Sequence, residues 1–361
     1  MNSQQVITEL QTQGLNLVSE TGASGRKGGA GPSDHKAITL GETTVMVPVY
    51  TDGAAQSPYS LRSTPTGEHL LVKDQQPIAT LNFPRQPRFY GLSTTDGIPY
   101  WKIALLHSHN VLATTVLQTC IRYENRKTAC QFCAIGQSLE ADRTIAQKTP
   151  AQLAEVAAAA VRLDGVENMI MTTGTPNVTD RGAAYLTDCA TAIRARVDLP
   201  LQAQCEPPDD FRWFERLHTA GVDSLGMHLE AADPAVRAVI MPGKAKVPLS
   251  YYFEAFAAAV KVFGRGQVST YLLAGLGDSK GTLLTVSEQL IALGVYPFVV
   301  PFVPIVGTPL AQHPAPSSEF MYELYQTIGQ QLNQAHLLSS DMKAGCAKCG
   351  ACSALSLFEN D

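Results

Sequence analysis

From residue 111 onward the chain alternates short apolar runs with longer amphipathic stretches. The apolar runs are VLATTVLQ (111–118), NMIMT (168–172), LPLQAQ (199–204), SLGMHL (224–229), VSTYLLA (268–274) and YPFVVPFV (296–303). Their length and β-branched content predict buried strands. A pattern of helical period follows each, first from about Pro150 to Leu163 and then near 181–196, 209–220, 248–264, 280–293 and 317–336. The first helix carries its own boundary signals, with Thr149 as N-cap, Pro150 at the first helical position and Gly165 as a stop. Six βα units in a row predict a parallel sheet with right-handed crossovers, either a barrel or a doubly wound sheet. In both, chemistry gathers at the C-terminal ends of the strands.

Residues 1–110 follow a different pattern. A short helix with Val6, Ile7 and Leu10 on one face ends at Gly14, and the glycine-rich stretch RKGGAGPSDHK (26–36) comes after it. That stretch lacks P-loop spacing and a preceding strand, so it reads as a linker or lid. Short β-type runs follow (TTVMVPVY, EHLLVKD, PIATLNF and YWKIALL), with turn signals at Thr51-Asp52-Gly53 and Thr95-Asp96-Gly97. The division expected is a β-rich N-terminal module (1–110), a βα core (111–336) and a cysteine-rich tail (337–361).

Composition narrows the class. With 45% hydrophobic and 16% charged residues the chain can build a proper core. A net charge of -5 offers no broad footprint for nucleic acid or an anionic membrane. The most apolar stretch, Leu290 to Leu310, is broken by Pro297, Pro301, Pro304 and Pro309, which suits buried strand and not a membrane helix. The start MNSQQVITEL has no basic stretch leading into an apolar core, so a cytoplasmic location is expected. Of the eight cysteines, three stand at 120, 130 and 133, three at 346, 349 and 352, and Cys189 and Cys205 are alone. Two tight triplets in such a chain read as metal or cluster ligands and not as a disulfide scaffold.

The first triplet, LQTC-IRYENRKTA-CQFC, follows the first strand directly, so Cys120, Cys130 and Cys133 share a loop at the catalytic end of the sheet. Iron–sulfur clusters are held by thiolates, and three ligands leave one iron open to a substrate or cofactor. Zinc is the competing reading, since Cys130 and Cys133 with a histidine would also suit it. These residues resemble the radical S-adenosylmethionine superfamily, whose cysteines commonly stand as C-x3-C-x-aromatic-C, with Phe132 here in the aromatic place. The nine-residue first gap is similar to that of the catalytic subunit of Elongator. The resemblance implies a [4Fe-4S] cluster on Cys120, Cys130 and Cys133, S-adenosylmethionine as second cofactor, and a partial (β/α)6 TIM-type barrel.

Further motifs agree strand by strand. By the resemblance, Thr172, Thr173 and Gly174 of MTTGTP meet the amino group of S-adenosylmethionine. Glu206 of QAQCEPP stands at a strand terminus, where a ribose or amino-group contact and a solvated loop role are both open. MHLEAADPAVRAVIMPGK resembles the biotin synthase, lipoyl synthase and [FeFe]-hydrogenase maturase branch, which implies cofactor contacts by Glu230 and Arg237, with Lys244 as a substitute for the arginine. LLAGLGDS and PFVPIVGTPL are similar to later motifs of the same branch. At family level the whole resembles the radical enzymes encoded beside nitrilases.

The tail reads GCAKCGACS, a Cys-x2-Cys-x2-Cys run like that of ferredoxins. An auxiliary [4Fe-4S] cluster on Cys346, Cys349 and Cys352 is expected, with Cys205, Cys189, water or the substrate as fourth ligand and zinc as the alternative. His107 and His109 form His-x-His before the first strand and read as structural, and His228 ends strand four. The resemblance implies an oxidoreductase or transferase. It would reductively cleave S-adenosylmethionine, take a hydrogen atom from a small-molecule substrate, and draw electrons from a donor such as flavodoxin or ferredoxin. A zinc hydrolase using His107, His109 and His228, and a two-cluster electron carrier, are the alternatives.

Overall fold

A computed structural model describes residues 3–17 and 35–360. Most of the glycine-rich stretch, residues 26–34, lies outside the described residues, and His35 and Lys36 open the first strand.

The N-terminal part forms a five-stranded antiparallel sheet of β1 (His35–Leu40), β2 (Thr43–Pro48), β3 (Tyr59–Ser63), β4 (His69–Lys73) and β5 (Gln76–Asn82), in the order β2-β1-β5-β4-β3. The turn between β4 and β5 is Asp74-Gln75, both at positive φ, which matches the right-handed twist of the flanking strands. Helix α1 (Ser3–Gln13) packs on β2 with Val6, Ile7 and Leu10 buried. Thr51-Asp52-Gly53 separates β2 from β3 as the start of a one-turn helix α2 (Asp52–Ala55), because the Thr51 hydroxyl caps the Ala54 amide at 3.1 Å. One expectation is corrected here. The run YWKIALL is not one strand. Tyr100 and Ile103, three residues apart, are the buried pair of a helical turn α3 (Tyr100–Ile103), and only β6 (Leu105–His107) is extended.

Strand β6 belongs to a second sheet of seven strands. The others are β7 (Val111–Thr115), β8 (Asn168–Thr172), β9 (Leu201–Gln204), β10 (Ser224–Gly226), β11 (Val268–Ala274) and β12 (Val295–Pro301). Their spatial order is the chain order, β6 through β12, with β7 to β12 parallel and β6 antiparallel to β7. A doubly wound sheet would reverse direction at a switch point. Uninterrupted chain order curls the sheet one way, so the fold is a TIM-type half-barrel. Pro297 and Pro301 fit because β12 is an edge strand, where a missing amide leaves no ladder bond unmade.

The helices are the short α4 (Gln137–Glu140), then α5 (Pro150–Asp164), α6 (Ala183–Arg194), α7 (Arg212–Thr219), α8 (Pro234–Ile240), α9 (Leu249–Phe263), α10 (Lys280–Leu293) and α11 (Ser318–Gln334), with one turn α12 (Cys346–Cys349) in the tail. Helix α5 has the boundaries its residues announce: Thr149 and Gln152 close a capping box, and Gly165 ends it at φ 68°. Besides the one-turn helices α2, α3, α4 and α12, α8 was not anticipated; Asp233 caps it from within the expected cofactor motif.

Alternation along β9 shows how the layers form. Leu201, Ala203 and Cys205 face outward into one apolar core that runs under the helices and on to α1 and the N-terminal sheet. Gln202 and Gln204 face the lumen. So does Asn168 of β8, which accepts from Gly345 of the tail. A polar lumen needs a polar filling, and the C-terminal tail supplies it. Gly345 lies over Gln202 at φ 107°, where a Cβ would come within 2.2 Å of the Gln202 amide. The Cys346 amide donates to Gln202 Oε1 at 3.2 Å. The tail is also tied to the N-terminus, since Ala351 O accepts from Met46 N at 2.7 Å and from Gln11 Nε2 at 3.1 Å.

Candidate active site

Cys120, Cys130 and Cys133 lie on the long loop after β7, at the C-terminal mouth of the half-barrel, and none is in a disulfide. The loop is pinned from three strands. Gly174, after β8, donates to Leu117 O at 2.8 Å. A Cβ at 174 would sit 2.1 Å from Thr119 O, so this glycine is small to admit the cysteine loop itself. Arg122, between the first two cysteines, grips Glu206 beyond β9 through Nε to Oε1 and Nη2 to Oε2, each at 2.6 Å. Thr175 Oγ1 donates to the same carboxylate at 2.6 Å, and Arg122 also donates to Gly243 O. Gln131 N meets Ile240 O at 2.8 Å, which fastens the loop to α8.

Around the cysteines the charges are balanced. Burial works against an ionised Glu206, yet Arg122 and Lys244 hold its carboxyl below the ordinary glutamate range. Lys244 Nζ pairs with Glu230 Oε2 at 2.5 Å, and this partner outweighs burial and raises the ammonium above its usual range. Glu230 sits at φ 59°, a conformation that costs a non-glycine residue about 1–3 kcal/mol and clusters at functional sites. Arg237 plays another part: it is 2% exposed, its Nη1 donates to Leu229 O at 2.8 Å and Ala231 O at 3.0 Å, and its guanidinium lies over the Tyr252 ring. Of the two cations considered, Lys244 is the one that meets Glu230. Thr172 and Thr173 bond locally, to Thr115 Oγ1 at 3.1 Å and Gly174 O at 2.8 Å.

Burial pushes the Cys130 thiol up and Cys133 up to about 11. Thiols this reluctant to ionise alone become ligands when a metal centre supplies the compensating charge. The donor set fits a three-thiolate cluster, because the remaining cysteines stand elsewhere. Cys189 and Cys205 are in the outer core, and the second triplet is in the lumen.

The second triplet is surrounded by lumen side chains. Gln204 Nε2 donates to Cys346 Sγ at 3.1 Å, and the Tyr271 hydroxyl bonds the same sulfur. The Ser108 hydroxyl bonds Cys349, and His107 Nε2 is 3.4 Å from Cys352 Sγ. His228 faces the lumen, its Nδ1 accepting from Tyr271 N at 3.2 Å, and burial together with Lys244 brings its pKa down to about 3. The three histidines of the hydrolase alternative are thus taken up separately, with His109 against Ser108. Among the described residues no three His, Cys, Asp or Glu side chains converge as a single-ion site requires. Cluster thiolates, each on its own iron, need no such convergence.

Between the triplets lies a mostly apolar cavity of about 150 Å³. Phe132 of the first loop and Cys352 of the second triplet line it, with Tyr271, Leu273, Val300 and Phe302 between them. A wider groove of about 560 Å³ between α1 and α11 contains none of the cysteines. The pattern reading missed Tyr271 and Gln204, and took His107 as structural without its place beside Cys352. The available signal was polar side chains at lumen positions of otherwise buried strands.

Residues 125–289 match the Radical SAM superfamily, a stretch that takes in Cys130, Cys133, Glu206, Glu230 and Lys244. The chain is 33% identical over 133 residues to bacteriochlorophyllide c C-7(1)-hydroxylase of Chlorobaculum limnaeum, covering 36% of this chain and 33% of that protein. It therefore spans about a third of the length of the curated relative it matches. Among solved structures it is similar to a radical SAM methyltransferase from Sphaerobacter thermophilus (16% identity, 76% of this chain and 75% of the other, TM-score 0.47). It is likewise similar to methylornithine synthase (14% identity, 69% and 72%, TM-score 0.46). No helix among the described residues is long and apolar enough to cross a membrane. The family match falls on CQFC and on the carboxylates and cations beside it, so residues 125–289 form a radical SAM domain.

Proposed function

We propose that the chain is a radical S-adenosylmethionine enzyme acting on a small molecule held between the two cysteine triplets. The observation that carries this reading is the cavity bounded by Phe132 at one end and Cys352 at the other. On this reading Cys120, Cys130 and Cys133 would hold a [4Fe-4S] cluster, and Cys346, Cys349 and Cys352 would hold an auxiliary one. Bound there, cluster and S-adenosylmethionine would supply one-electron reductive chemistry that removes a hydrogen atom from the substrate.

The chain's own residues prepare the place. Arg122, Glu206 and Thr175 keep the cysteine loop in register. Glu230 and Lys244 present an acceptor and a donor to the polar groups of S-adenosylmethionine, with Gly174 and its neighbours offering backbone. The apolar walls keep water from a reactive species. A volume of about 150 Å³ suits a group the size of a benzene ring, so the reacting part of the substrate is small and largely apolar. Electrons come from a reduced carrier of the flavodoxin or ferredoxin kind. A simple electron carrier has no use for such a cavity.

The test is anaerobic. Protein reconstituted with iron and sulfide is reduced with dithionite beside S-adenosylmethionine, and 5′-deoxyadenosine is measured by chromatography. Wild type should form it, and Cys130→Ala should not. A colourless protein that takes up only zinc would overturn the reading.

A further inference from the structure

The two triplets differ in what surrounds their sulfurs. Each sulfur of the second meets a side-chain partner able to donate: Gln204 at 3.1 Å and Tyr271 on Cys346, Ser108 on Cys349, and His107 at 3.4 Å from Cys352. Among the described residues no side-chain hydrogen bond ends on Cys120, Cys130 or Cys133; Cys133 has a backbone bond involving Ile135. The donors are built in. Gln204 is aligned by Gln202, whose Oε1 accepts from it at 2.7 Å. Tyr271 is wedged against His228, ring centroids 4.5 Å apart, and against Phe298. His107 ends β6, and Ser108 follows in the tight turn to β7 at φ 59°, a position unfavourable for serine.

We propose that these four side chains set the second centre at a higher reduction potential than the first. The inference rests on the auxiliary cluster of the preceding reading. Adding an electron to a cluster puts negative charge on its sulfurs, and donors aimed at them stabilise the reduced state more than the oxidised one. Fixed charge does not offset this. Beside the first triplet two carboxylates, Glu206 and Glu230, face two cations, Arg122 and Lys244. The side chains acting on Cys346 and Cys349 are neutral or belong to the triplet itself. Tyr271 ties the second centre to the cavity, lining the one and bonding Cys346 of the other.

The experiment is an EPR-monitored redox titration of the full chain reconstituted with iron and sulfide. Cys130→Ala and Cys349→Ala assign the two signals. In wild type the signal lost in Cys349→Ala should appear first on reduction. Tyr271→Phe and Gln204→Leu should lower its midpoint and leave the other signal in place. A second centre reduced at or below the first overturns the proposal, as does an unmoved midpoint in Tyr271→Phe with iron for both clusters retained. Iron for one cluster only, with the second triplet empty, sinks the auxiliary centre and this inference with it.

Discussion

Arg122 stands two residues after Cys120 in a run of charged residues that reads as a small basic patch, yet the fold buries it against Glu206. Removing one partner of a buried pair leaves the other charge unmatched, at about 3–5 kcal/mol. Glu206→Ala should accordingly lower the melting temperature by several degrees and weaken iron retention at the first triplet, read by calorimetry and iron assay. The pair also has a pH signature. Glu206 is held below its ordinary pKa, so its contribution is complete above the unfolded-state value and fades as pH falls through the folded one. Wild type should lose more stability than Glu206→Gln on acidification from neutral pH. The alternative role weighed for Glu206, a solvated loop carboxylate, would predict no difference. Gly174 gives a related lesson. Its size was visible in the sequence, but the backbone it admits, Leu117 to Thr119, was not.

At the scale of elements the tail and β6 decide the lumen. Three residues are too few to show a strand period, so β6 was read as part of a longer run, and its histidine had no assigned direction. Antiparallel pairing of His107 with Val111 turns it inward toward Cys352. The tail threads past Gln202 only because position 345 is glycine. Gly345→Ala should expel it. The expected result is loss of the iron held by the second triplet, with that of the first retained, read by iron content and EPR of the reconstituted protein. Equal iron in the variant would mean that the tail finds its place by another route.

Over the whole molecule, the first and last segments close the structure together. Gln4 and Gln11 of α1 donate to Leu357 O and Ala351 O of the tail, and the cavity takes walls from Gln11, His35 and Met46 as well as from β11 and β12. Centres bound only by the folded chain stabilise it by mass action, about 3 kcal/mol when held a hundredfold above the dissociation constant. Loaded protein should melt well above the iron-free form under argon. Cys349→Ser should remove part of that gap, and the gap should persist unchanged only if the second triplet binds nothing.

Local signals determined much of this protein. The six strands, the helix caps at Thr149 and Gly165, and the cysteine spacing around Phe132 were all legible, because strand period, cap chemistry and thiolate ligation act over a few neighbouring residues. Chain order of the strands, and with it the choice of half-barrel over doubly wound sheet, belongs to tertiary structure. So do the burial of Arg237 and the choice of Lys244 as partner of Glu230. Above all, the placing of Cys346, Cys349 and Cys352 inside the barrel depends on residues more than a hundred positions away. Their polar faces had to be matched in a space that exists only once the sheet has curled.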